Sequence, residues 1–421
     1  MPERKAVLLF GDSIRVGYAE TVKEALSDIA DVFYPLGNGR NTQYLMTGLY
    51  TWSSLCNPEA VDLIHFNCGH WDAAHWNRDP LPLTPIPAYA ENLRRIVWAM
   101  RKLFPHAKIT FAASAPMCPG KEDPLNPRTN EELRAYNEAA REALRDLDVP
   151  IDDLWAAASG FSEDAYADFC HFTPEGFRQL GIAAAAFIRK KLSEWPQQIF
   201  LFLTPFKRKE ASSMVPYIED GVELQKAAAE AGKKNVFLIG DSLRMGYCET
   251  VKTDLSDVAN VFYPAENCRN SQYIITCLRT WSTLCDPKTV DLVHFNCGHW
   301  DAAHWNGAPV SLTPLPVYGE NLRALVWQLR HIFPNAAVTF ATSTPMSPNA
   351  VQGVNPRSNE ELRAYNETAR EALRDLNVPI DDLFSVVEPW DASHFADYCH
   401  LTPEAFAELG HAVSRFLRSR L

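Results

Sequence analysis

The chain has 421 residues, 47% hydrophobic and 22% charged, with a formal net charge of −12. That balance is ordinary for a folded protein and excludes a disordered or fibrous chain. An acidic chain without a basic block argues against nucleic acid and anionic membranes as partners.

Met1–Lys5 leads into a short apolar stretch that is too brief for the apolar region of a secretory signal. No apolar run reaches the ~18 residues of a membrane span. A cytoplasmic protein is therefore expected. The ten cysteines form no Cys-x-x-Cys pair, so free thiols are expected.

The chain is one unit written twice. Val7-Leu-Leu-Phe-Gly-Asp-Ser13 returns as Val236-Phe-Leu-Ile-Gly-Asp-Ser242, and the offset of 229 holds to Leu192 and Leu421. About 112 of 186 aligned positions are identical, and a period that long means two whole domains rather than a solenoid. The predicted organisation is a domain over 1–192, a linker over 193–234 with a helix near Tyr217–Ala231, and a second domain over 235–421.

Each repeat alternates strands and helices. Ala6–Phe10 is a short apolar run ending at Gly-Asp-Ser, which predicts a buried strand. Helical spacing follows over Tyr18–Ser27. Val32–Tyr34 and Val61–Phe66 read as strands and Tyr89–Phe104 as a helix. Lys108–Ala113 is a strand, Asn130–Leu147 a helix, Pro150–Leu154 a short strand and Thr173–Lys191 a closing helix. This order implies an α/β fold with a parallel sheet covered on both faces. Ligands on such sheets sit at the carboxyl ends of the strands.

Four blocks fall at those ends. Ser13 follows strand one and opens a helix, where backbone N–H groups can stabilise an oxyanion. A capping serine beside a turn aspartate is the plainer reading of that tripeptide alone. Asn38-Gly39-Arg40-Asn41 follows strand two and returns as Asn267-Cys268-Arg269-Asn270. Asn67-Cys-Gly-His70-Trp71-Asp72-Ala-Ala-His75-Trp76 follows strand three and returns unchanged, with Asn296, His299, Trp300 and Trp305. No metal-ligand spacing occurs in it. Asp168-Phe-Cys-His171 precedes a Thr-Pro-Glu helix start and returns as Asp397-Tyr-Cys-His400. A histidine acts as a base through Nε2 when a carboxylate holds its Nδ1–H. The sequence just before each Asp differs between repeats, yet the Asp and His return.

In this order the blocks resemble the SGNH (GDSL) hydrolase family over nearly the whole of each repeat. The resemblance implies two tandem flavodoxin-like three-layer α/β/α domains and ester hydrolysis through an acyl-serine. Ser13 and Ser242 would be nucleophiles, and His171 and His400 the bases, oriented by Asp168 and Asp397. The backbone N–H groups of Ser13 and Gly39, with Cys268 in the second repeat, would form the oxyanion hole. One departure stands out: Trp71 and Trp300 occupy the place of the family's oxyanion Asn. Indole N–H is a donor and suits the role, with Asn67, Asn296 and His70 as alternatives.

Arg40, His70 and Trp76, with Arg269, His299 and Trp305, are the expected substrate contacts. The expected substrate is a small O-acyl ester, an acetylated carbohydrate, with no metal or cofactor. The rival readings are a short-chain acylhydrolase or thioesterase, and a binding protein on the same fold. The second site is expected to be the weaker, because Glu266 and Cys268 replace Gly37 and Gly39 beside the oxyanion region.

Overall fold

In the computed structural model, residues 4–194, 229–349, 351 and 353–421 are described. The predicted linker helix lies almost wholly outside these residues, as does most of 193–234. The described chain forms two compact units, one per repeat.

In the first unit, strands β1 (Lys5–Phe10), β2 (Ala30–Phe33), β3 (Leu63–Phe66), β4 (Lys108–Ala112) and β5 (Ile151–Asp152) form one sheet. Its order is β2-β1-β3-β4-β5, and every pairing is parallel. The helices are α1 (Ser13–Ala25), α2 (Thr42–Trp52), α3 (Ile86–Leu103), α4 (Asn130–Arg145), the short α5 (Leu154–Ala158) and α6 (Pro174–Ser193).

Alternation along β1 sorts the two faces. Val7 and Leu9 join Ile14, Tyr18 and Val22 of α1 and Leu180 and Ile188 of α6 in one core. Phe10 turns the other way, with its ring 5.7 Å from Trp52 and 6.3 Å from Phe104. Helices α2, α3 and α4 pack in turn on that second face. The result is the expected three-layer, flavodoxin-like sandwich.

The second unit repeats it. Strands β6 (Lys234–Ile239), β7 (Ala259–Phe262), β8 (Leu292–Asn296), β9 (Ala337–Ala341) and β10 (Ile380–Asp381) run in the order β10-β9-β8-β6-β7. Around them lie α7 (Ser242–Asp254), α8 (Ser271–Ser282), α9 (His299–Ala302), α10 (Leu315–Ile332), α11 (Asn359–Arg374), α12 (Leu383–Val387) and α13 (Pro403–Arg418).

Two local differences from the sequence reading shape the site. Helix α1 begins at Ser13 rather than Tyr18, because Asp12 caps it by accepting from the Ile14 N–H at 2.9 Å. Its first turn carries Arg15 inward, which hides the apolar period: the guanidinium donates to the carbonyls of Pro35 and Gly37 at 2.8 and 2.6 Å. Helix α2 has no counterpart among the predicted elements. Its β-branched and glycine residues give a weak helical signal, and the Asn41 cap, accepting from Tyr44 N–H at 2.8 Å, starts it.

Strand order reverses direction at β1, so the carboxyl ends of β1 and β3 border a crevice. The Gly-Asp-Ser turn leaves β1 there, and the Asn67–Trp76 loop leaves β3.

Candidate active site

The serine is placed by a sharp strand-to-helix turn. Gly11 has φ +151°, and a Cβ on it would stand 1.8 Å from the Asn67 side-chain oxygen, so no larger residue fits. Asp12 is fully buried and caps α1, which leaves Ser13, partly exposed, as the first helical residue. Gly240, Asp241 and Ser242 repeat this in the second unit.

The loop before α6 brings His171 to the serine. Tyr166 and Phe172 pair as an antiparallel bridge, and the Ala167 N–H donates to the His171 carbonyl at 2.8 Å, closing a tight loop. Inside it, Asp168 Oδ1 accepts the backbone N–H groups of Cys170 and His171 at 2.8 and 2.7 Å. Its Oδ2 lies 2.7 Å from His171 Nδ1, and His171 Nε2 lies 2.8 Å from Ser13 Oγ. With Nδ1–H donated to the carboxylate, Nε2 is left to accept the serine proton. The residues meet across 158 positions of sequence. Asp397, His400 and Ser242 meet at the same distances, 2.7 and 2.8 Å.

Burial alone would raise the Asp168 carboxyl. The two backbone N–H groups and the imidazole outweigh it and hold the carboxyl below its ordinary range. Asp397 is lowered in the same way. His400 is pushed up to about 9, first by the Cys399 thiol beside its ring, against burial, and then with help from Asp397.

Several of the expected oxyanion donors are bonded within the fold. The Gly39 N–H donates to the Gly11 carbonyl at 2.7 Å, and the Cys268 N–H to the Gly240 carbonyl at 3.0 Å. Both are engaged in joining the block after β2, or β7, to the serine turn, so neither is available to an oxyanion. Asn67 and Asn296 are likewise engaged: their amides donate to Asp12 and Asp241 at 2.8 and 3.0 Å. At these strand ends, the Ser13 and Ser242 backbone N–H and the Trp71 and Trp300 indole N–H show no partner among the described residues.

His70 and His299 are not placed as substrate contacts. Both are buried. His70 Nε2 lies 2.9 Å from the Ala115 carbonyl, so Nε2 carries the proton and Nδ1 accepts from Arg128 Nε at 3.3 Å. Burial, then the Arg128 charge, push its pKa down to about 3, and the ring is neutral. His299 is held in the same way by Arg357 at 3.1 Å.

Aromatic rings border the loop. Trp71 is partly exposed and packs 4.7 Å from Trp76, whose indole donates to the Trp71 carbonyl at 3.3 Å. The Arg40 guanidinium is wholly buried, 5.4 Å from the Trp71 ring and 4.9 Å from Tyr44. Arg40 thus underlies the rings, whereas Arg269, 5.9 Å from Trp300, is partly exposed. Trp300 and Trp305 repeat the 4.7 Å pair. Below them, buried Asp72 clamps the start of α2 by accepting the single Thr42 backbone N–H on both oxygens and the Thr42 hydroxyl at 2.6 Å. Burial pushes Asp72 up to about 6 against those bonds.

Sequence reading missed Arg128 and Arg357. Their signal was visible: the six residues 120–125 all differ from 349–354, yet Asn126-Pro127-Arg128 returns unchanged as Asn355-Pro356-Arg357.

Asp168, Cys170 and His171 bring one donor atom each within 4.8 Å, as do Asp397, Cys399 and His400. Their carboxylate and imidazole already bind each other, and a guanidinium approaches each sulfur at 3.5 and 3.4 Å. That positive neighbour opposes a cation. Among the described residues no helix is long and apolar enough to cross a membrane.

Comparison with known proteins matches the GDSL-like lipase/acylhydrolase family over residues 9–179 and again over 238–407. A rice protein (Oryza sativa subsp. japonica), GDSL esterase/lipase WDL1, is 24% identical over 197 residues, covering 42% of this chain and 74% of its own. GDSL esterase/lipase CPRD49 of Arabidopsis thaliana is 23% identical over 225 residues, covering 46% and 82%. Among solved structures, the acetyl xylan esterase AlAXEase aligns with TM-score 0.37 at 16% identity, covering 44% of this chain and 99% of that one. Est24, a carbohydrate acetylesterase from Sinorhizobium meliloti, aligns with TM-score 0.36 at 16% identity, covering 45% and 100%.

Proposed function

From the premise that this chain belongs to the GDSL-like lipase/acylhydrolase family, and so is a carboxylic ester hydrolase, we propose that each unit, 1–192 and 235–421, holds one serine-esterase site. The observation that carries this reading is the Ser13–His171–Asp168 chain of contacts at 2.8 and 2.7 Å, repeated at Ser242, His400 and Asp397.

Ser13 Oγ attacks the ester carbonyl as His171 Nε2 takes its proton. The ionised Asp168 holds the ring and stabilises the imidazolium. The oxyanion accepts from the Ser13 N–H at the start of α1, where the helix dipole also favours negative charge, and from the Trp71 indole. His171 then protonates the departing alcohol. Water, deprotonated by the same imidazole, releases the acid from the acyl-serine.

The acyl group is proposed to be acetyl and the alcohol a carbohydrate. The paired indoles of Trp71 and Trp76 offer a flat apolar face suited to a sugar ring. A short-chain acylhydrolase is the second reading. It is favoured by the exposed apolar residues Val16 and Met245, one turn beyond each serine.

A substrate panel separates the two readings. Acetylated xylo-oligosaccharides should be turned over with kcat/KM at least ~10-fold above butyryl and acyl-thioester substrates. A preference for the longer acyl chain or the thioester would replace the carbohydrate reading with the second one.

A further inference from the structure

We propose that Arg128, and Arg357 in the second unit, are positioning residues that set the spacing between the catalytic base and the oxyanion donor. This rests on the esterase reading above.

The base and the proposed indole donor come from loops nearly a hundred residues apart in sequence, one before α6 and one after β3. Arg128 lies in a third loop, before α4, and is buried. Its three guanidinium nitrogens divide among the three loops. Nε donates to His70 Nδ1 at 3.3 Å, next to Trp71. One terminal nitrogen donates to Cys170 Sγ at 3.5 Å, next to His171. The other holds its own loop through the Asn126 carbonyl at 3.1 Å, with Asp123 at 3.5 Å. The Phe169 ring of the base loop lies 5.4 Å from the guanidinium carbon.

Arg357 repeats these contacts apart from the Asp123 ion pair, whose position is Gln352 in the second repeat: His299 at 3.1 Å, Cys399 at 3.4 Å, the Asn355 carbonyl at 3.3 Å and the Tyr398 ring at 5.5 Å. A lysine also has three donors, but all on one nitrogen; the guanidinium spreads its donors over three nitrogens in one rigid plane, so lysine cannot reach all three loops at once. The neighbouring residues fit the same purpose. His70 fixes its tautomer on Ala115 so that Nδ1 can accept, and Cys170 presents a sulfur acceptor without a competing charge. A displacement of ~1 Å between reacting groups costs about 100-fold in rate.

The test uses the full chain carrying Ser242→Ala, so that only the first site turns over. In that background Arg128→Lys should lower kcat for p-nitrophenyl acetate by about 100-fold and leave KM within about threefold. Arg128→Ala should regain part of the loss with millimolar guanidinium. A second readout needs no turnover: iodoacetamide should alkylate Cys170 at least ~10-fold faster in Arg128→Lys than in its parent, because the loop is no longer tied down. Unchanged kcat overturns the proposal, as does a fall in kcat without faster Cys170 alkylation. If the parent shows no Ser13-dependent turnover, the esterase reading fails, and the alkylation rates still decide whether Arg128 anchors the loop.

Discussion

Alanine at both Ser13 and Ser242 should remove p-nitrophenyl acetate hydrolysis by at least ~10⁴-fold, while each single substitution leaves one working site. The two single losses should differ. At pH 7, Ser13→Ala should cost more than Ser242→Ala, for a steric reason. A Cβ on Gly39 would stand 2.6 Å from the Gly11 carbonyl oxygen. The second unit carries Cys268 there, and the joining bond to the serine turn lengthens from 2.7 to 3.0 Å. Nearby, Glu266 replaces Gly37 and binds the Tyr273 hydroxyl and Trp281 indole at 2.8 Å each, changing the wall of that site.

The second site should also have a pH dependence of its own. A base must be neutral to accept a proton, and His400 is pushed up to about 9 by the Cys399 thiol and Asp397. Raising the pH from 7 to 9 increases its neutral fraction roughly 50-fold. Turnover by Ser13→Ala, after subtraction of the double mutant, should climb accordingly. Equal single losses at pH 7, or a flat profile for Ser13→Ala between pH 7 and 9, would contradict this.

Trp71→Phe, measured with Ser242→Ala, should lower kcat by about 100- to 1000-fold with KM little changed. Phenylalanine keeps one aromatic ring against Trp76 and removes the N–H together with the second ring of the indole. The size of the effect follows from the lack of substitutes. The Gly39 N–H is bound to Gly11, and the Asn67 amide to Asp12. His70 donates to Ala115. The Ser13 N–H is then the one proposed donor that remains once the indole is gone. A loss below about threefold, with unchanged circular dichroism, would mean that another group stabilises the oxyanion.

Much of this site was readable in the sequence because its chemistry is local. Asp168 and His171 lie three residues apart, and a tight loop sets their contact. Ser13 sits where an apolar run ends in Gly-Asp. The α/β order was equally plain, since β1 and β3 are short apolar runs and α4 carries a complete Thr129–Glu132 capping box. What escaped notice depends on partners distant in the chain. Whether the Gly39 N–H faces an oxyanion or the Gly11 carbonyl is decided by how two strand ends pack, and no motif states it. His70 looks like a ligand in a polar loop, and only burial between Ala115 and Arg128 makes it structural. Arg128 belongs to no motif, and only the comparison of the two repeats, where Asn126-Pro127-Arg128 returns after a divergent stretch, marks it. Helix α2 was missed because its start is a side-chain cap rather than an apolar period.

Wild-type protein treated with a fluorophosphonate probe and mapped by peptide mass spectrometry should carry adducts at Ser13 and at Ser242. His171→Ala should abolish only the first, and His400→Ala only the second. The absence of an adduct at either serine, or labelling that ignores both histidines, would contradict the paired triads.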